Sequence, residues 1–260
     1  MGVKSTFRNL FPRNRFNSEN YNPHYRLISY ENPTHPISEC YRRIKVSLNF
    51  SNVDKQLKVI GLTSAVQGEG KSLTLLNLAY TYVEDGHKVL IIDLDLRRPK
   101  IHKSLRIENK NGISEICDGS IDLNTAIKHS QYGFDVINSG KKVEYPASLL
   151  GSKKLETIVN DLKKSYDVIL IDCPPVVLVS DPIIISRLCD GLVFCAAPKI
   201  KQKEASIEGV RILRNNNVNL LGCVFTEVDS GAGDYYYHKN KYYYYSYGDN
   251  NQENETETKE

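Results

Sequence analysis

Apolar residues gather in short runs that recur along the chain, with amphipathic stretches between them. Residues 57–63, 89–92, 166–172, 189–197 and 219–226 are the clearest runs. Each has the length of a strand covered on both faces, and residues 132–138 form a further candidate. The stretches between follow a different rhythm. Tyr41, Ile44 and Leu48 recur at i, i+3, i+7 after Pro36 and Ser38, which predicts a helix over 38–50. Leu73, Leu76, Leu78, Ala79 and Val83 mark a second helix, stopped by Gly86. Residues 153–164 and 204–215 predict two more, the last with Ile207, Val210 and Leu213 on its face. Residues 100–130 read as short helical and loop pieces, and 146–152 as a loop. Strands alternating with helices at this spacing predict an α/β fold: one doubly wound, mostly parallel sheet flanked by helices.

The ends of the chain break this pattern. Residues 1–36 are polar and interrupted by Pro12, Pro23, Pro33 and Pro36. Lys4, Arg8, Arg13, Arg15 and Arg26 face the single acid Glu19 over residues 1–30. A flexible basic arm is expected, with weak attraction to an anionic membrane surface as its functional reading. Residues 37–228 are expected to form a single domain, and 229–260 a disordered, acidic, tyrosine-rich tail.

Charge and cysteine content narrow the classes. A net charge of +3 is too small to argue for nucleic acid. No apolar run is long enough to span a bilayer, and the N-terminus lacks the apolar segment of a signal peptide. Cys40, Cys117, Cys173, Cys189, Cys195 and Cys223 have no metal-ligand spacing and suit a reducing, cytoplasmic setting. Cys173, Cys195 and Cys223 fall in the predicted buried strands.

Candidate chemistry sits where the strands end. Residues 65–72 read Ala-Val-Gln-Gly-Glu-Gly-Lys-Ser between the first strand and its helix. This is the spacing of a phosphate-binding P-loop, with Ala65 where the first glycine usually stands. Gln67, Gly68, Glu69, Gly70, Lys71, Ser72 and Leu73 are the expected phosphate-binding segment. Gly68 and Gly70 permit the tight turn, Lys71 supplies a point charge, and Ser72 offers a hydroxyl to Mg²⁺ at a helix N-terminus. The next strand ends in Asp93-Leu-Asp95, two carboxylates on one face at the ligand-binding edge of the sheet. One could help hold the metal's water shell and the other accept a proton. The strand 166–172 ends in Asp172, in the Walker B pattern, which can bind Mg²⁺ through water.

The tail adds an acceptor. Tyr235, Tyr236, Tyr237, Tyr242, Tyr243, Tyr244, Tyr245 and Tyr247 place eight of the seventeen tyrosines within thirteen residues. A flexible run of phenols joined to a nucleotide site is what a self-phosphorylating tyrosine kinase would carry. About 13 residues of coil span roughly 20 Å on average, enough for a neighbouring subunit's site in a compact oligomer. The plainer reading is an adhesive low-complexity tail.

These motifs together resemble the bacterial tyrosine kinases of capsular and exopolysaccharide biosynthesis, specifically the cytoplasmic kinase of the split Gram-positive type. The resemblance runs from Ser38 to the tail. It rests on AVQGEGKS, VLIIDLDLRRP, VILIDCPP and the tyrosine cluster. It implies transfer of the γ-phosphoryl group of Mg·ATP to tail tyrosines of a neighbour, within a ring-shaped homo-oligomer. It implies that Lys71 stabilises phosphate charge, that Ser72, Asp95 and Asp172 hold the metal, and that Asp93 accepts or orients the tyrosine proton. The family's Glu-x-x-Arg-x-x-Arg subunit-contact motif reads Glu39, Arg42 and Lys45 here, with Lys lacking the second fork. Expected partners are a membrane-spanning activator of the polysaccharide co-polymerase type, polysaccharide-synthesis enzymes as substrates, and a cognate tyrosine phosphatase. The expected location is the inner face of the membrane, reached through the activator. Two rivals stand beside this reading. A partitioning-type switch ATPase would carry lysine at Val66 and no tyrosine tail. A non-catalytic nucleotide-bound scaffold would not need Lys71, Ser72, Asp93, Asp95 and Asp172 together.

Overall fold

The computed structural model describes residues 27–51, 56–198 and 202–227. The basic segment 1–26 and the tyrosine cluster lie outside the described residues. In chain order the elements are α1 (Ile28–Glu31), α2 (Pro36–Phe50), β1 (Val59–Ser64), α3 (Lys71–Glu84), β2 (Val89–Asp93), α4 (Ile101–Leu105), α5 (Ile113–Asp118), α6 (Leu123–Ala126) and β3 (Lys128–His129). There follow β4 (Asp135–Ile137), α7 (Pro146–Leu150), α8 (Lys153–Ser165), β5 (Val168–Asp172), α9 (Asp181–Ile185), β6 (Gly191–Ala196), α10 (Lys203–Asn215) and β7 (Leu220–Phe225).

The strands form one sheet in the order β3-β4-β2-β5-β1-β6-β7. All pairings are parallel except that of the short β3 with β4. Every residue of β1, β2, β5 and β6 is buried, as expected of parallel strands covered by helices on both faces. Two apolar clusters result, one on each face. The first joins Leu155, Val159 and Leu162 of α8 and Leu213 of α10 to Leu90, Ile92, Ile169, Ile171 and Phe194. The second joins Leu75, Leu78 and Tyr82 of α3 to Ile60, Leu62, Ile91 and Leu170. Among the described residues no helix is long and apolar enough to cross a membrane.

Four local expectations are corrected. Among the described residues the packed body already includes Leu27, within the segment read as an irregular arm. Leu27 is buried, Ser29 N–H donates to Asn77 Oδ1 at 3.0 Å, and Tyr30 meets Tyr132 edge to face at 5.0 Å. Pro33 follows the C-cap and limits α1 to four residues, yet Ser29 and Tyr30 still meet α3, and burying the preceding Leu27 stabilises by about 1.5–3 kcal/mol. Residues 146–150 form a helix with Pro146 at its start rather than a loop. The run 219–226 is an edge strand: Cys223 and Phe225 are exposed, because α10 covers only part of one face. On α10 itself, Ile207 is exposed while Gly209 and Leu213 point inward. A Cβ at Gly209 would lie 3.1 Å from the Phe194 ring, so the absent side chain sets the helix close to the sheet.

Helix α2 forms as its periodicity predicts, and packs on α3. Its charged stripe has a different use from the expected one. Lys45 is buried; its Nζ donates to Thr81 O at 2.9 Å and to Asp85 Oδ2 at 2.6 Å. Arg42 forms a two-bond contact with Glu84 at 2.9 and 3.2 Å and donates to Pro33 O. Lys45 therefore fastens α2 to α3 within one chain and presents no charge to a neighbour. Glu39 stays near the surface, 3.5 Å from Arg42.

Candidate active site

β1 lies inside the sheet, with β5 on one side and β6 on the other. The loop that leaves its carboxyl end therefore meets the carboxyl ends of β5 and, one strand further, β2. This brings together residues 24 and 101 positions apart. Gly68 and Gly70 take the left-handed backbone, at φ 81° and 70°, where a side chain costs about 1–2 kcal/mol. Gly70 is the N-cap of α3, whose first turn supplies Lys71, Ser72 and Leu73. Gln67 and Gly68 remain open to solvent.

Glu69 is the unexpected member of the loop. Its side chain is buried and folds back so that Oε2 accepts from Val66 N–H at 2.9 Å. The other oxygen, Oε1, is buried with no protein donor. The carboxylate thus ties the two ends of the loop together instead of facing a phosphate. From outside, Thr226 Oγ1 donates to Glu69 O at 3.0 Å and packs on Gly70.

Lys71 and the carboxylates form one buried cluster. Lys71 Nζ lies 3.1 Å from Asp172 Oδ1, 3.4 Å from Asp95 Oδ2 and 3.5 Å from Ser72 Oγ. Ser72 Oγ donates to Asp172 Oδ2 at 2.7 Å. Burial acts to lower the Lys71 pKa, but the charges of Asp172 and Asp95 outweigh it and hold the ammonium firmly protonated. Burial, then Asp172, push the Asp93 carboxyl up to about 8. Burial is also the first reason the Asp95 carboxyl is raised, with Lys71 opposing.

Asp93, the last residue of β2, and Asp95, in the turn after it, have different surroundings. Asp93 is fully buried; Oδ1 accepts from Asp95 N–H at 3.1 Å, and Oδ2 accepts from Lys100 and Ile101 N–H at 3.2 Å each. Both its oxygens therefore hold the turn that leads into α4. The expected placing of Asp93 against an acceptor hydroxyl does not match this geometry. Asp95 is the carboxylate that borders the open cleft, beside Gln67, Arg98 and Pro174.

The carboxylates of Asp95 and Asp172 around one lysine leave a net negative site with the Ser72 hydroxyl at its floor. That donor set suits a hard divalent cation. Among the described residues no three His, Cys, Asp or Glu side chains form a closed metal cage. Mg²⁺ retains waters and takes further ligands from phosphates, so a site for it needs few protein ligands.

Two contacts had no legible signal in the sequence. Arg97 makes a two-bond pair with the fully buried Asp181, at 2.7 and 3.1 Å. This pins the loop after β2 to the start of α9. Arg98 Nη1 donates to Gln67 Oε1 at 2.6 Å, reaching across to the P-loop. Asp181 follows Ser180 and precedes Pro182, so by sequence it reads as a helix-start acid only.

The family described as an AAA domain matches residues 57–216. The tyrosine-protein kinase YwqD of Bacillus subtilis (strain 168) is 34% identical over 199 residues, covering 76% of this chain and 84% of that protein. The crystal structure of the chimerical protein CapA2B2 superposes with a TM-score of 0.76 at 29% identity, over 80% of this chain and 91% of that one. The septum site-determining protein MinD of Pyrococcus horikoshii OT3, complexed with Mg-ADP, is 24% identical with a TM-score of 0.55 over 68% of this chain and 76% of its own. It shares the fold alone, so the switch-ATPase rival is a distant relation.

Proposed function

The chain belongs to the bacterial tyrosine kinases, and from that premise we propose that it transfers the γ-phosphoryl group of ATP to the tyrosines of its own C-terminal cluster. The observation that carries this reading is the convergence of Lys71, Ser72, Asp95 and Asp172 below an open cleft, joined to a chain that continues into eight tyrosines.

Each residue has a task in the transfer. The P-loop amides and Lys71 cradle the β- and γ-phosphates, so Lys71 exchanges carboxylate partners for phosphate oxygens when ATP binds. Ser72 and Asp172, with Asp95 nearby, would hold Mg²⁺, which neutralises charge on the β- and γ-oxygens. The phenol oxygen attacks the γ-phosphorus in line, and its proton passes to the Asp95 carboxylate at the cleft and from there to solvent. The bond from that phosphorus to the β–γ bridging oxygen breaks, and ADP departs. Asp95 borders the cleft and is placed to orient the phenol proton, while Asp93 keeps the turn rigid. Base assistance is a minor contribution, because the loose transition state needs little of it.

The wider assignment follows the resemblance. The acceptor is the tail of a neighbouring copy in a homo-oligomer, which the exposed Val46 and Phe50, one turn apart on α2, support as an apolar contact face. Glu39 and Arg42 flank that face. A membrane-spanning activator of the polysaccharide co-polymerase type completes the site and holds the kinase at the inner membrane face. Polysaccharide-synthesis enzymes are further substrates, and a tyrosine phosphatase resets the tail. Each tail phosphate adds about −1.5 to −2 charges, and several together drive subunits apart. This regulates capsular or exopolysaccharide synthesis and export.

The test is phosphotyrosine mapping by mass spectrometry after incubation with Mg·ATP, with and without a candidate activator's cytoplasmic segment. Label is expected at several of Tyr235 to Tyr247, and none with Lys71→Met. ATP hydrolysis without tyrosine label in the presence of the activator would refute the assignment.

A further inference from the structure

The cleft that Asp95 borders has further walls to which the transfer chemistry assigns no part. Its walls come from three loops: Gln67 of the P-loop, Asp95 and Arg98 after β2, and Pro174, Pro175 and Leu178 after β5. One side is apolar. Leu178 is 57% exposed although it is a large hydrophobe, and two prolines stand beside it. The other side carries the paired arginines. Their surroundings differ. Arg97 is neutralised by the buried Asp181. Arg98 is exposed, its guanidinium is held by the neutral Gln67, and among the described residues no carboxylate lies within ion-pair distance of it. Its main-chain N–H donates to Asp95 Oδ1 at 3.0 Å, which fixes its root one turn from the reaction centre.

An apolar wall beside a cleft carboxylate suits a tyrosine ring with its hydroxyl turned toward Asp95. An uncompensated guanidinium in the same pocket suits an anion a short distance along the acceptor chain. Side chains two residues apart on an extended strand share a face, about 6–7 Å apart. The tail sequence supplies that spacing repeatedly. Tyr235 pairs with Tyr237, Tyr242 with Tyr244, Tyr243 with Tyr245, and Tyr245 with Tyr247. Once one member of such a pair is phosphorylated, it carries a near-dianion with three acceptor oxygens, matched to the planar fork of an arginine.

We propose that this pocket is an acceptor subsite in which Arg98 binds a phosphotyrosine two residues from the tyrosine being modified, so that each phosphorylation primes the next. The proposal rests on the reading of the tail as acceptor and adds an order to it. The first transfer into a run is slow, the following ones are fast, and label accumulates in clusters instead of spreading evenly. Arg97 does not serve in this role, because Asp181 already holds both arms of its guanidinium that face inward. Its part is to keep the arginine-bearing loop against α9.

The experiment uses the full chain as enzyme, Mg·ATP, and peptides of residues 241–249. In these, Tyr242, Tyr243 and Tyr244 are replaced by phenylalanine and Tyr245 is the acceptor. Position 247 is either phosphotyrosine or phenylalanine. The primed peptide is expected to be used with a kcat/KM roughly tenfold higher, the size of one charge-assisted contact. In Arg98→Ala that ratio should fall toward one, and Arg98→Lys should keep part of it. Equal use of the two peptides by the parent chain overturns the priming while leaving the tail as acceptor. So does a preference that survives Arg98→Ala. A raised KM for ATP in Arg98→Ala with an unchanged peptide ratio would assign Arg98 to the nucleotide and also overturn it. Absence of label on both peptides, together with an unlabelled tail in the full chain, overturns both the priming and the acceptor reading.

Discussion

The pair Arg97–Asp181 allows a prediction in which burial decides which partner matters more. Asp181 is 0% exposed, whereas the Arg97 side chain is 42% exposed. Removing the arginine by Arg97→Ala leaves a carboxylate buried without a counter-charge, which typically costs about 3–5 kcal/mol. Removing the acid's charge by Asp181→Asn leaves a guanidinium that is already half in water and can be hydrated. The loss is then two charge-assisted hydrogen bonds discounted for solvent, about 1–2 kcal/mol. In a chain of this size each kcal/mol lowers the melting temperature by roughly 2–4 °C, so the expected drops are roughly 6–20 °C for Arg97→Ala and roughly 2–8 °C for Asp181→Asn. Thermal unfolding by circular dichroism, without nucleotide, measures both. Equal losses, or a larger loss for Asp181→Asn, would refute the reasoning that exposure sets the cost.

Two further outcomes follow from named contacts. Lys45→Met keeps the buried stem and removes the bonds to Thr81 O and the half-exposed Asp85; urea unfolding should show the folded chain weakened by about 1–2 kcal/mol, and a change in subunit dissociation alone would contradict the intrachain role. Glu115 Oε2 accepts from Gly112 N–H and Ser114 Oγ, and Oε1 from Lys141 N–H. Burial alone would raise its pKa, but these bonds outweigh burial and hold the carboxyl below its ordinary range. Its contribution is therefore full above about pH 4.5 and is lost as pH falls through the lower folded value. Glu115→Gln should flatten the acid-side decline of stability between pH 5 and pH 3, as read by amide exchange of α5; an unchanged slope would remove Glu115 as the cause.

Much of the fold was legible because its signals are local. Buried strands read as continuous apolar runs, and β1, β2, β5 and β6 lie within two or three residues of their expected limits. The P-loop was legible because Gly68 and Gly70 must adopt positive φ next to a helix start. Errors arose where a neighbour's absence decides burial. The run at β7 is as apolar as β6, yet it is the last strand of the sheet and stays partly exposed. Ile207 looks like a core residue by spacing alone, but the residues that α10 buries are Gly209, against Phe194, and Leu213. The charged stripe Glu39, Arg42 and Lys45 looked uniform along the helix, and only the position of α3 separates the buried lysine from the surface acid.

The sequence by itself determined the class of chemistry: a phosphate loop, three strand-end aspartates and a run of phenols, all set by residue types at fixed spacing. The tertiary structure decided which of those groups face the open cleft. Strand order places Asp93 beside Asp172, and the turn after β2 then folds three backbone amides onto Asp93 while Asp95 is left at the cleft. It also decided that Arg97 is spent on a buried acid eighty-four residues away and that Arg98 is not. Such assignments depend on which surfaces meet across the sheet edge. That is set by packing between distant segments, and no spacing within one segment records it.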